Sequence, residues 1–552
     1  MQVKVYANSD DTFVVWKTDG PITACRGFAI QKRRDGSSKI EVVPNYVGWG
    51  EKGVAAPQPS TDWPIQRYMW CDYKAKSGEK LSYRIVPVVG PDADHLHPAE
   101  DQASEWTTEI TLHPDGTAGI AAYFNRGIVA SQWLSRVLGP GKSGEKQRKL
   151  AEIIEDPEDR TRMFLGGELR NAMLKLLADA KKRGVEVHAA LYELDDPELT
   201  EALGALGDKA NVILANGSTK KKTIDPNKEA RKALTKAGVT VYKRMTAPRH
   251  LAHNKFLVIS DTKGDPQSVW TGSTNWSKTG LCTQANNGIL FTNPDLAKVY
   301  LKQWEQLRDA KSTFARAELA AVNSKSVAIG NPPKTVKVWF TPVDEEADLD
   351  EVRELIAGAK EGILFVMFNP GPKGTLLNAI IERQDDPGLV VRGVVNQDPS
   401  TAKNPVLIFR RHEVLRGSFQ VALPAAIGND KRALYWIPEL KKKQGAWAMV
   451  HSKTIIIDPF GADPVVITGS HNLGPKASKG NDDNLVIVKG DSELAATYAV
   501  NIEAIYASYR WRYNRLYSKK AQAFTQLEDS DEWQGGHLQG AELQELDFWL
   551  GS

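Results

Sequence analysis

Histidine and lysine side chains recur at matching positions in two distant stretches of this 552-residue chain. The first stretch contains His253-Asn254-Lys255 and, further on, Gly272-Ser273-Thr274-Asn275. The second contains His451-Ser452-Lys453 and then Gly469-Ser470-His471-Asn472. The histidines are 198 positions apart (253 to 451) and the glycines 197 (272 to 469), so the pattern repeats almost in register. This spacing indicates a duplicated unit rather than chance.

The residue types in these stretches suit the cleavage of a phosphodiester bond. One imidazole can attack phosphorus while the other protonates the leaving oxygen. Lysine ammonium and asparagine amide groups can neutralise the charge that develops on the phosphate oxygens. Alternate residues of an extended strand face the same side, so the histidine and lysine of each triplet project together into one cleft. The chemistry needs neither a metal nor a cofactor, and the sequence shows no metal-ligand spacing.

An aspartate follows each triplet. Asp458 comes five residues after Lys453, whereas Asp261 comes six after Lys255, with Ser260 at the position that matches Asp458. An aspartate in contact with a histidine would hold its tautomer and raise its basicity. We predict that the extra residue of the first stretch forms a β-bulge that re-aims Asp261.

The remainder of the chain predicts the elements that hold these groups. Residues 1–113 favour an antiparallel β-sandwich, because short β-rich runs alternate with turn signals. Residues 114–330 and 331–525 each alternate strands with helices, which is typical of a sheet flanked by helices. One such helix is marked by apolar residues on a single face, from Leu169 to Ala180. Residues 526–552 form an acidic C-terminal tail that either packs as a cap or stays mobile.

The second stretch matches the HxKxxxxD motif, the first departs from it only in carrying its aspartate one residue late, and both are followed by GSxN. With this doubled pattern the chain resembles the phospholipase D superfamily. The resemblance implies two similar α/β halves, related by a pseudo-twofold axis, that bring both motifs to one site. It also implies a phosphohistidine intermediate and no required metal, with His253 as nucleophile and His451 as general acid. The site residues that it carries over are His253, Lys255, Asp261, Ser273, Asn275, His451, Lys453, Asp458, Ser470 and Asn472.

Two weaker resemblances accompany this one. The segments Asn286-Asn287 and Asn481-Asp482-Asp483-Asn484 resemble the polar segment that often follows GSxN in the superfamily. In the N-terminal region, Trp16 and Tyr83 resemble the core tryptophan and tyrosine of fibronectin type III modules.

Three functions remain open at this stage. A phospholipase D-like hydrolase or transphosphatidylase acting on phospholipid headgroups is the first choice, and a nuclease acting on DNA or RNA is the alternative. A non-catalytic binding protein is third, and two intact motifs argue against it. Basic stretches could attract either anionic substrate, and nearby tryptophans could contact lipid or bases. These residues are Lys220-Lys221-Lys222, Lys228, Arg231, Lys232, Lys243, Arg244, Arg249, Arg410-Arg411, Lys441-Lys442-Lys443, Trp276, Trp436 and Trp447.

Composition and the absence of visible targeting segments bear on the partners, the compartment and the oligomeric state of the protein. The net charge of +3 is too small to indicate a nucleic-acid binder by itself. The three cysteines have neither metal spacing nor a disulfide pattern. We predict a cytoplasmic protein, because no signal peptide and no membrane-spanning run is visible, although export without a cleaved signal would look the same. A monomer is expected because one chain carries both motifs.

Overall fold

The computed structural model describes residues 1–551 apart from 51–56, 114–115, 117–118, 131–132, 135–136, 141, 219–224, 311–315, 369, 372–374, 384, 397–418, 423–449 and 518–525.

The strands of the described residues are β1 (Gln2–Ala7), β2 (Thr12–Lys17), β3 (Cys25–Arg34), β4 (Glu41–Val42), β5 (Pro44–Asn45), β6 (Gln58–Pro59), β7 (Met69–Asp72), β8 (Lys80–Val89), β9 (His97–Pro98), β10 (Ile110–Thr111), β11 (Ile120–Phe124), β12 (Val187–Leu191), β13 (Ala210–Ser218), β14 (Thr240–Thr246), β15 (Lys255–Ser260), β16 (Pro266–Gly272), β17 (Asn287–Phe291), β18 (Val327–Asn331), β19 (Lys334–Phe340), β20 (Gly362–Met367), β21 (Val390–Val395), β22 (Phe419–Ala422), β23 (Lys453–Ile457), β24 (Val465–Gly469) and β25 (Asn484–Lys489).

Their α-helices are α1 (Ser143–Glu155), α2 (Arg160–Arg183), α3 (Pro197–Gly204), α4 (Lys228–Lys236), α5 (Lys278–Cys282), α6 (Pro294–Asp309), α7 (Arg316–Val322), α8 (Ala347–Ala357), α9 (Leu376–Ile381), α10 (Pro475–Gly480), α11 (Ser492–Tyr517), α12 (Trp533–His537) and α13 (Gly540–Leu550). Short 3-10 helices lie at Glu100–Gln102, Gly127–Ala130 and Gly207–Lys209.

The N-terminal region consists of antiparallel sheets, as predicted. One sheet has the order β1-β2-β7 and another the order β10-β8-β3-β4, with β9 paired to β8. Trp16 and Tyr83 are fully buried. The ring of Trp16 meets that of Phe28 edge to face, with 5.5 Å between the centroids, a geometry that aromatic pairs favour in cores. The fibronectin type III resemblance remains a prediction.

Two similar sheets follow, which confirms the predicted duplication. The first has the order β11-β17-β16-β15-β12-β13-β14, and the second contains β19-β25-β24-β23-β20-β21-β22 with β18 added at its edge. Both combine a parallel trio, β12-β13-β14 or β20-β21-β22, with antiparallel pairing across the rest. The central strands β15, β20, β21 and β23 are buried along their whole length because helices cover the sheets. Seven strands therefore correspond one to one between the halves.

The predicted amphipathic helix is α2. Asp159 caps its start by accepting hydrogen bonds from two backbone N–H groups, and Gly184 ends it with a left-handed backbone conformation at φ 64°. Its apolar face is buried, including Leu169, Met173 and Ala180. This face packs in the main hydrophobic core, against the sheet that carries the first motif.

Residues 526–551 pack as a cap, one of the two predicted alternatives. The indole N–H of Trp533 donates to the carbonyl of Cys25 (3.0 Å), and the ring of Trp549 meets that of Phe13 with 4.6 Å between centroids. Leu527 N–H donates to the carbonyl of Gly48 at 3.0 Å. The acidic segment therefore joins the N-terminal sheets through buried tryptophans.

A buried ion triad ties the same segment to the second half. Arg392 of β21 donates to Glu503 of α11 at 2.6 Å and pairs with Glu545 of α13. All three side chains are at most 5% exposed. Among the described residues, no helix combines the length and the apolar character that crossing a membrane requires.

Candidate active site

The two His-x-Lys triplets meet at the boundary between the halves. The lysines are the first residues of β15 and β23, and each histidine precedes its strand by two positions. The backbone N–H of His253 donates to the carbonyl of Asp482, and that of His451 donates to the carbonyl of Ala285, both at 2.9 Å. Each triplet is therefore anchored by the backbone of the opposite half.

The ring of His253 is oriented by a carboxylate from the second half. Its Nδ1 lies 2.8 Å from Oδ1 of Asp483. The same oxygen accepts from the Ser470 hydroxyl at 2.6 Å, and Oδ2 of Asp483 accepts from the Asn481 amide at 3.1 Å. The carboxylate can only accept, so Nδ1 of His253 carries the proton and Nε2 keeps its lone pair.

The ring of His451 is oriented in the same manner, but by an amide from the first half. Its Nδ1 lies 3.0 Å from Oδ1 of Asn286 and 3.1 Å from the carbonyl of Ser273. The Ser273 hydroxyl donates to Oδ1 of Asn286 at 2.8 Å. The Asn286 amide nitrogen donates to the carbonyl of Gly280 at 2.9 Å, which fixes the orientation of this amide. Nδ1 of His451 thus also carries the proton.

A second set of crossed contacts repeats the same symmetry. Asn287 donates to the hydroxyls of Thr468 (2.8 Å) and Tyr498 (2.9 Å) of the second half. The amide oxygen of Asn484 accepts from Thr271 (2.8 Å) and Tyr300 (3.2 Å) of the first half. These matched pairs lie 197 or 198 positions apart, like the motifs. They hold the two halves in the register that the crossed histidine contacts require.

An aromatic ring packs against each histidine and its lysine. The Tyr192 centroid lies 4.9 Å from that of His253 and 5.2 Å from Nζ of Lys255. In the second half, Phe368 lies 4.8 Å from His451 and 4.9 Å from Nζ of Lys453. Each lysine also donates to the carbonyl of its own triplet histidine. The aromatic rings limit the motion of the imidazoles. Each ring also packs against a lysine ammonium group, whose positive charge therefore lies near the imidazole.

In the free site, burial and these lysines favour the neutral form of both imidazoles. Burial, followed by the charge of Lys255, lowers the pKa of His253 to about 4, although Asp483 opposes the shift. Burial, Lys453 and Lys255 hold the pKa of His451 well below its usual value. Burial also lowers the pKa of Lys255 to about 7 and that of Lys453 well below its usual value. The neutral imidazole is the form that can attack phosphorus.

Asp261 and Asp458 do not fill the expected role of contacting the histidines. Each follows the last residue of its strand, about 16 Å or more along the chain from the lysine at the other end. Asp458 accepts from the backbone N–H groups of residues 360–362 (2.7–3.1 Å). Asp261 accepts from Lys263 and Asp265 in a hairpin turn. A bulge lies at this end of the hairpin, but its extra residue is Gln267 on the facing strand β16 and not a residue between Lys255 and Asp261 as predicted.

The GSxN residues reach the site at the ends of β16 and β24. Ser273 and Ser470 support the histidine partners, as described above. The Asn275 amide donates to the Glu193 carboxylate at 2.8 Å, and Asn472 keeps a half-buried side chain. The structure therefore brings together eight of the ten predicted site residues, all except Asp261 and Asp458.

Several neighbours of the site were not singled out from the sequence as individual residues. The partners Asn286 and Asp483 lie in segments that the sequence did flag, each 13 positions after its GSxN serine. That shared offset was the available signal. Tyr192 and Glu193 are the two residues after the end of β12, and Phe368 is the first residue after the end of β20. No sequence motif marked these three residues.

The residues predicted to contact substrate have different outcomes: some are buried in the described structure, and others lie outside the described residues. Trp276 is fully buried and belongs to the core. Of the predicted basic residues before the first motif, Arg244 is buried and pairs with Asp482, and Arg231 pairs with Asp225. The stretches Lys220-Lys221-Lys222, Arg410-Arg411 and Lys441-Lys442-Lys443 lie outside the described residues, as do Trp436 and Trp447. Within the described part of the chain, no three His, Cys, Asp or Glu side chains are grouped so that they could hold a metal ion.

Comparison with known proteins agrees with the duplication. A family model described as a cardiolipin synthase, PLD-like domain, matches residues 154–308 and again residues 352–506. Together these matches cover more than half of the chain. Two similar α/β halves sharing one two-histidine site define a class of phosphodiester-acting enzymes. The chain belongs to the phospholipase D superfamily.

Several solved structures are similar at low identity. The match to phosphatidylserine synthase from Haemophilus influenzae Rd KW20 has 13% identity and a TM-score of 0.41, and covers 65% of this chain and 91% of that one. The match to polyphosphate kinase from Porphyromonas gingivalis has 11% identity and a TM-score of 0.37, and covers 58% of this chain but only 45% of the kinase. The match to Nuc, a phospholipase D family member from Salmonella typhimurium, has 17% identity and a TM-score of 0.21, and covers 26% and 88%. Comparison with curated proteins gives no match.

Proposed function

We propose that this protein hydrolyses phospholipid headgroups, or exchanges them for other alcohols, through a phosphohistidine formed on His253. The observation that supports this most strongly is the pair of crossed contacts, in which the opposite half holds each ring through Nδ1. With Nδ1 occupied, Nε2 of both imidazoles is left for chemistry. One site with two such rings suits a double displacement at phosphorus.

The unequal partners support the assignment of roles. When Nε2 of His253 bonds to phosphorus, its ring becomes positively charged, and the Asp483 carboxylate stabilises that charge. His451 has only the neutral acceptors of Asn286 and Ser273. It gains no such stabilisation as a cation and therefore releases a proton readily, which suits a general acid.

The reaction follows in two balanced steps. The anionic phosphodiester, once bound beside His451, favours the protonated form of that ring. In the first step, Nε2 of His253 then forms a bond to phosphorus, the P–O bond to the leaving alcohol breaks, and Nε2–H of protonated His451 gives its proton to that oxygen. In the second, water or another alcohol attacks phosphorus, His451 takes its proton, and the P–N bond breaks. Lys255 and Lys453 neutralise the charge of the non-bridging oxygens in both steps, and the amides of Asn275 and Asn472 donate hydrogen bonds to them.

One comparison tests the substrate class. We expect the purified chain to release headgroups from mixed phospholipid vesicles faster than it cleaves single- or double-stranded DNA or RNA at equal phosphodiester concentration. Cleavage of nucleic acid alone, falling steeply as salt rises, would overturn the lipid choice.

Removal of metals gives a second test, because every group in the proposed steps belongs to a side chain. We expect EDTA at millimolar concentration to leave the hydrolysis of bis(p-nitrophenyl) phosphate within about twofold of its rate without chelator. A strong loss that a divalent ion restores would contradict the mechanism.

The partner of His451 predicts a pH effect. Asn286→Asp places a carboxylate beside Nδ1 of His451, and an opposite charge favours the protonated ring. The pKa of His451 rises, so the acid form persists to higher pH. We expect the alkaline limb of kcat/KM for phospholipid to move upward by about one pH unit or more. Asn286→Ala, which supplies no charge, serves as the matched control and should lower the rate without moving the limb upward.

A further inference from the structure

The variable position of the GSxN motif holds different residues in the two halves. It is Thr274 in the first half, whose hydroxyl donates to the carbonyl of Asn287 at 3.0 Å. It is His471 in the second half, with a side chain only 1% exposed. Both ring nitrogens of a buried histidine need hydrogen-bond partners. The partners of His471 therefore indicate what this residue does beside Asn472.

The first ring nitrogen holds the loop that carries Asn472. Nδ1 of His471 accepts a hydrogen bond from the backbone N–H of Leu473 at 2.9 Å, so this bond joins the residues on either side of Asn472. Leu473 has a φ of 57°, in the left-handed region that costs free energy for a residue with a Cβ atom. The bond therefore stabilises a backbone conformation that is otherwise disfavoured.

The second ring nitrogen fixes the imidazole itself. Because Nδ1 accepts, Nε2 carries the proton. Nε2 lies 3.1 Å from Oδ2 of Asp348 on α8 and 3.2 Å from the hydroxyl of Ser478 on α10. That hydroxyl donates to the same carboxylate oxygen at 3.0 Å, and both partners are fully buried. A serine hydrolase triad binds its serine and its carboxylate at opposite ring nitrogens, whereas here both meet Nε2. This cluster thus anchors the loop and supplies no nucleophile.

The asparagines of the two motifs are held in different ways. The Asn275 amide donates to the Glu193 carboxylate at 2.8 Å, so a side chain fixes the direction of this amide. Oδ1 of Asn472 is buried, and no hydrogen-bond partner for it lies within the described part of the chain. The direction of the Asn472 amide therefore depends on the backbone on either side of it. That backbone is the part of the loop that His471 holds.

We propose that His471 is a positioning residue, which holds the Asn472 amide in the direction where it donates to a non-bridging phosphate oxygen. The imidazole links the Asn472 loop to α8 and α10, so these two helices fix the loop at the site. Charge on the phosphate oxygens grows in the transition state, and a donor that is already in place needs no reorganisation at that moment. This inference rests on the proposed function, because it concerns the same reaction.

Two substitutions of His471 separate its contacts. His471→Ala removes all of them. His471→Asn keeps an acceptor near the place of Nδ1, since asparagine side chains accept from the backbone N–H two residues further on, and loses the contacts with Asp348 and Ser478. The full chain is assayed on bis(p-nitrophenyl) phosphate, and urea denaturation establishes that each variant is folded at the assay temperature. The matched control is His188→Ala, which removes a half-buried imidazole near the start of β12, whereas the site lies beyond the end of that strand.

We expect His471→Ala to lower kcat about 10²-fold, as is usual when a group at the site is displaced by about 1 Å. KM should change by less than about threefold, because the lysines still bind the phosphate in the ground state. We expect His471→Asn to recover about five- to tenfold of that loss through one hydrogen bond. His188→Ala should leave kcat within about twofold of wild type, since distant positions act independently.

A double-mutant cycle shows whether His471 acts through Asn472. Asn472→Ala should lower kcat about 10²- to 10³-fold, and adding His471→Ala should cost less than about a further twofold, because the group that it positions is already absent. If His471→Ala does not fold, the cycle is run with His471→Asn and decides the question in the same way.

Four results would overturn the inference: losses that multiply in the cycle, full activity in Asn472→Ala, an unchanged kcat in His471→Ala, or an equal loss in His188→Ala. A wild type inactive on bis(p-nitrophenyl) phosphate would instead refute the phosphodiesterase function itself.

Discussion

His253→Ala is expected to lower phosphodiester turnover by about 10⁴-fold or more, because the atom that bonds to phosphorus is removed. No covalent phosphoenzyme should form with any substrate. The measurement is acid-quenched single turnover with a radiolabelled phosphodiester, followed by isolation of labelled protein. The control is His95→Ala, since His95 is solvent-exposed and pairs only with Asp92 among its described contacts.

His451→Ala should behave differently, which separates the two roles. Its loss on phospholipid should be about 10²- to 10⁴-fold, the usual contribution of a general acid. With bis(p-nitrophenyl) phosphate the leaving group needs little protonation, so His253 should still be phosphorylated and the phosphoenzyme should accumulate. Labelled protein in His253→Ala but not in His451→Ala would reverse the assignment of nucleophile and acid.

Arg392→Met is expected to destabilise the fold by about 3–5 kcal/mol, the cost typical of breaking a buried ion pair. Methionine fills much of the space, but Glu503 and Glu545 would be left buried without this cation. The free energy of unfolding is measured by urea denaturation near pH 8 and near pH 5. The loss should shrink at the lower pH, because a protonated carboxyl is less costly to bury than a charged one.

A half-exposed arginine provides the comparison for this variant. Arg353 is 30% exposed and pairs with Glu346 and Asp350. Arg353→Met should change the free energy of unfolding by less than about 1 kcal/mol, as is usual for surface pairs. Equal losses in the two variants would show that the Arg392 triad contributes no more than a surface pair.

The duplicated motifs were sufficient to predict the two α/β halves and the shared site. Local spacing could not show that each histidine takes its partner from the opposite half, because the contacts of His253 with Asp483 and of His451 with Asn286 span 230 and 165 positions. Asp261 and Asp458 were predicted beside the histidines by resemblance. The length of an extended strand instead carries them to the opposite end, where they stabilise turns.

The acidic tail illustrates a different limit of sequence analysis. The sequence left open whether this segment packs as a cap or stays mobile, because composition alone does not show whether two tryptophans or many charges determine its position. Trp533 and Trp549 decide the outcome, because both rings enter the aromatic cluster of the N-terminal sheets. Glu545, an acidic residue of this segment, is buried where Arg392 pairs with it.

The docking of Trp533 on Cys25 joins residues 508 positions apart, and this has a consequence for biosynthesis. The ribosome synthesises the N-terminal sheets first. Trp533, which completes their core, is synthesised only after both α/β halves. During that interval the apolar surface around Phe28 and Tyr68 is exposed to solvent. Trp533 covers this surface later. Nascent chains should therefore bind chaperones until the closing segment emerges.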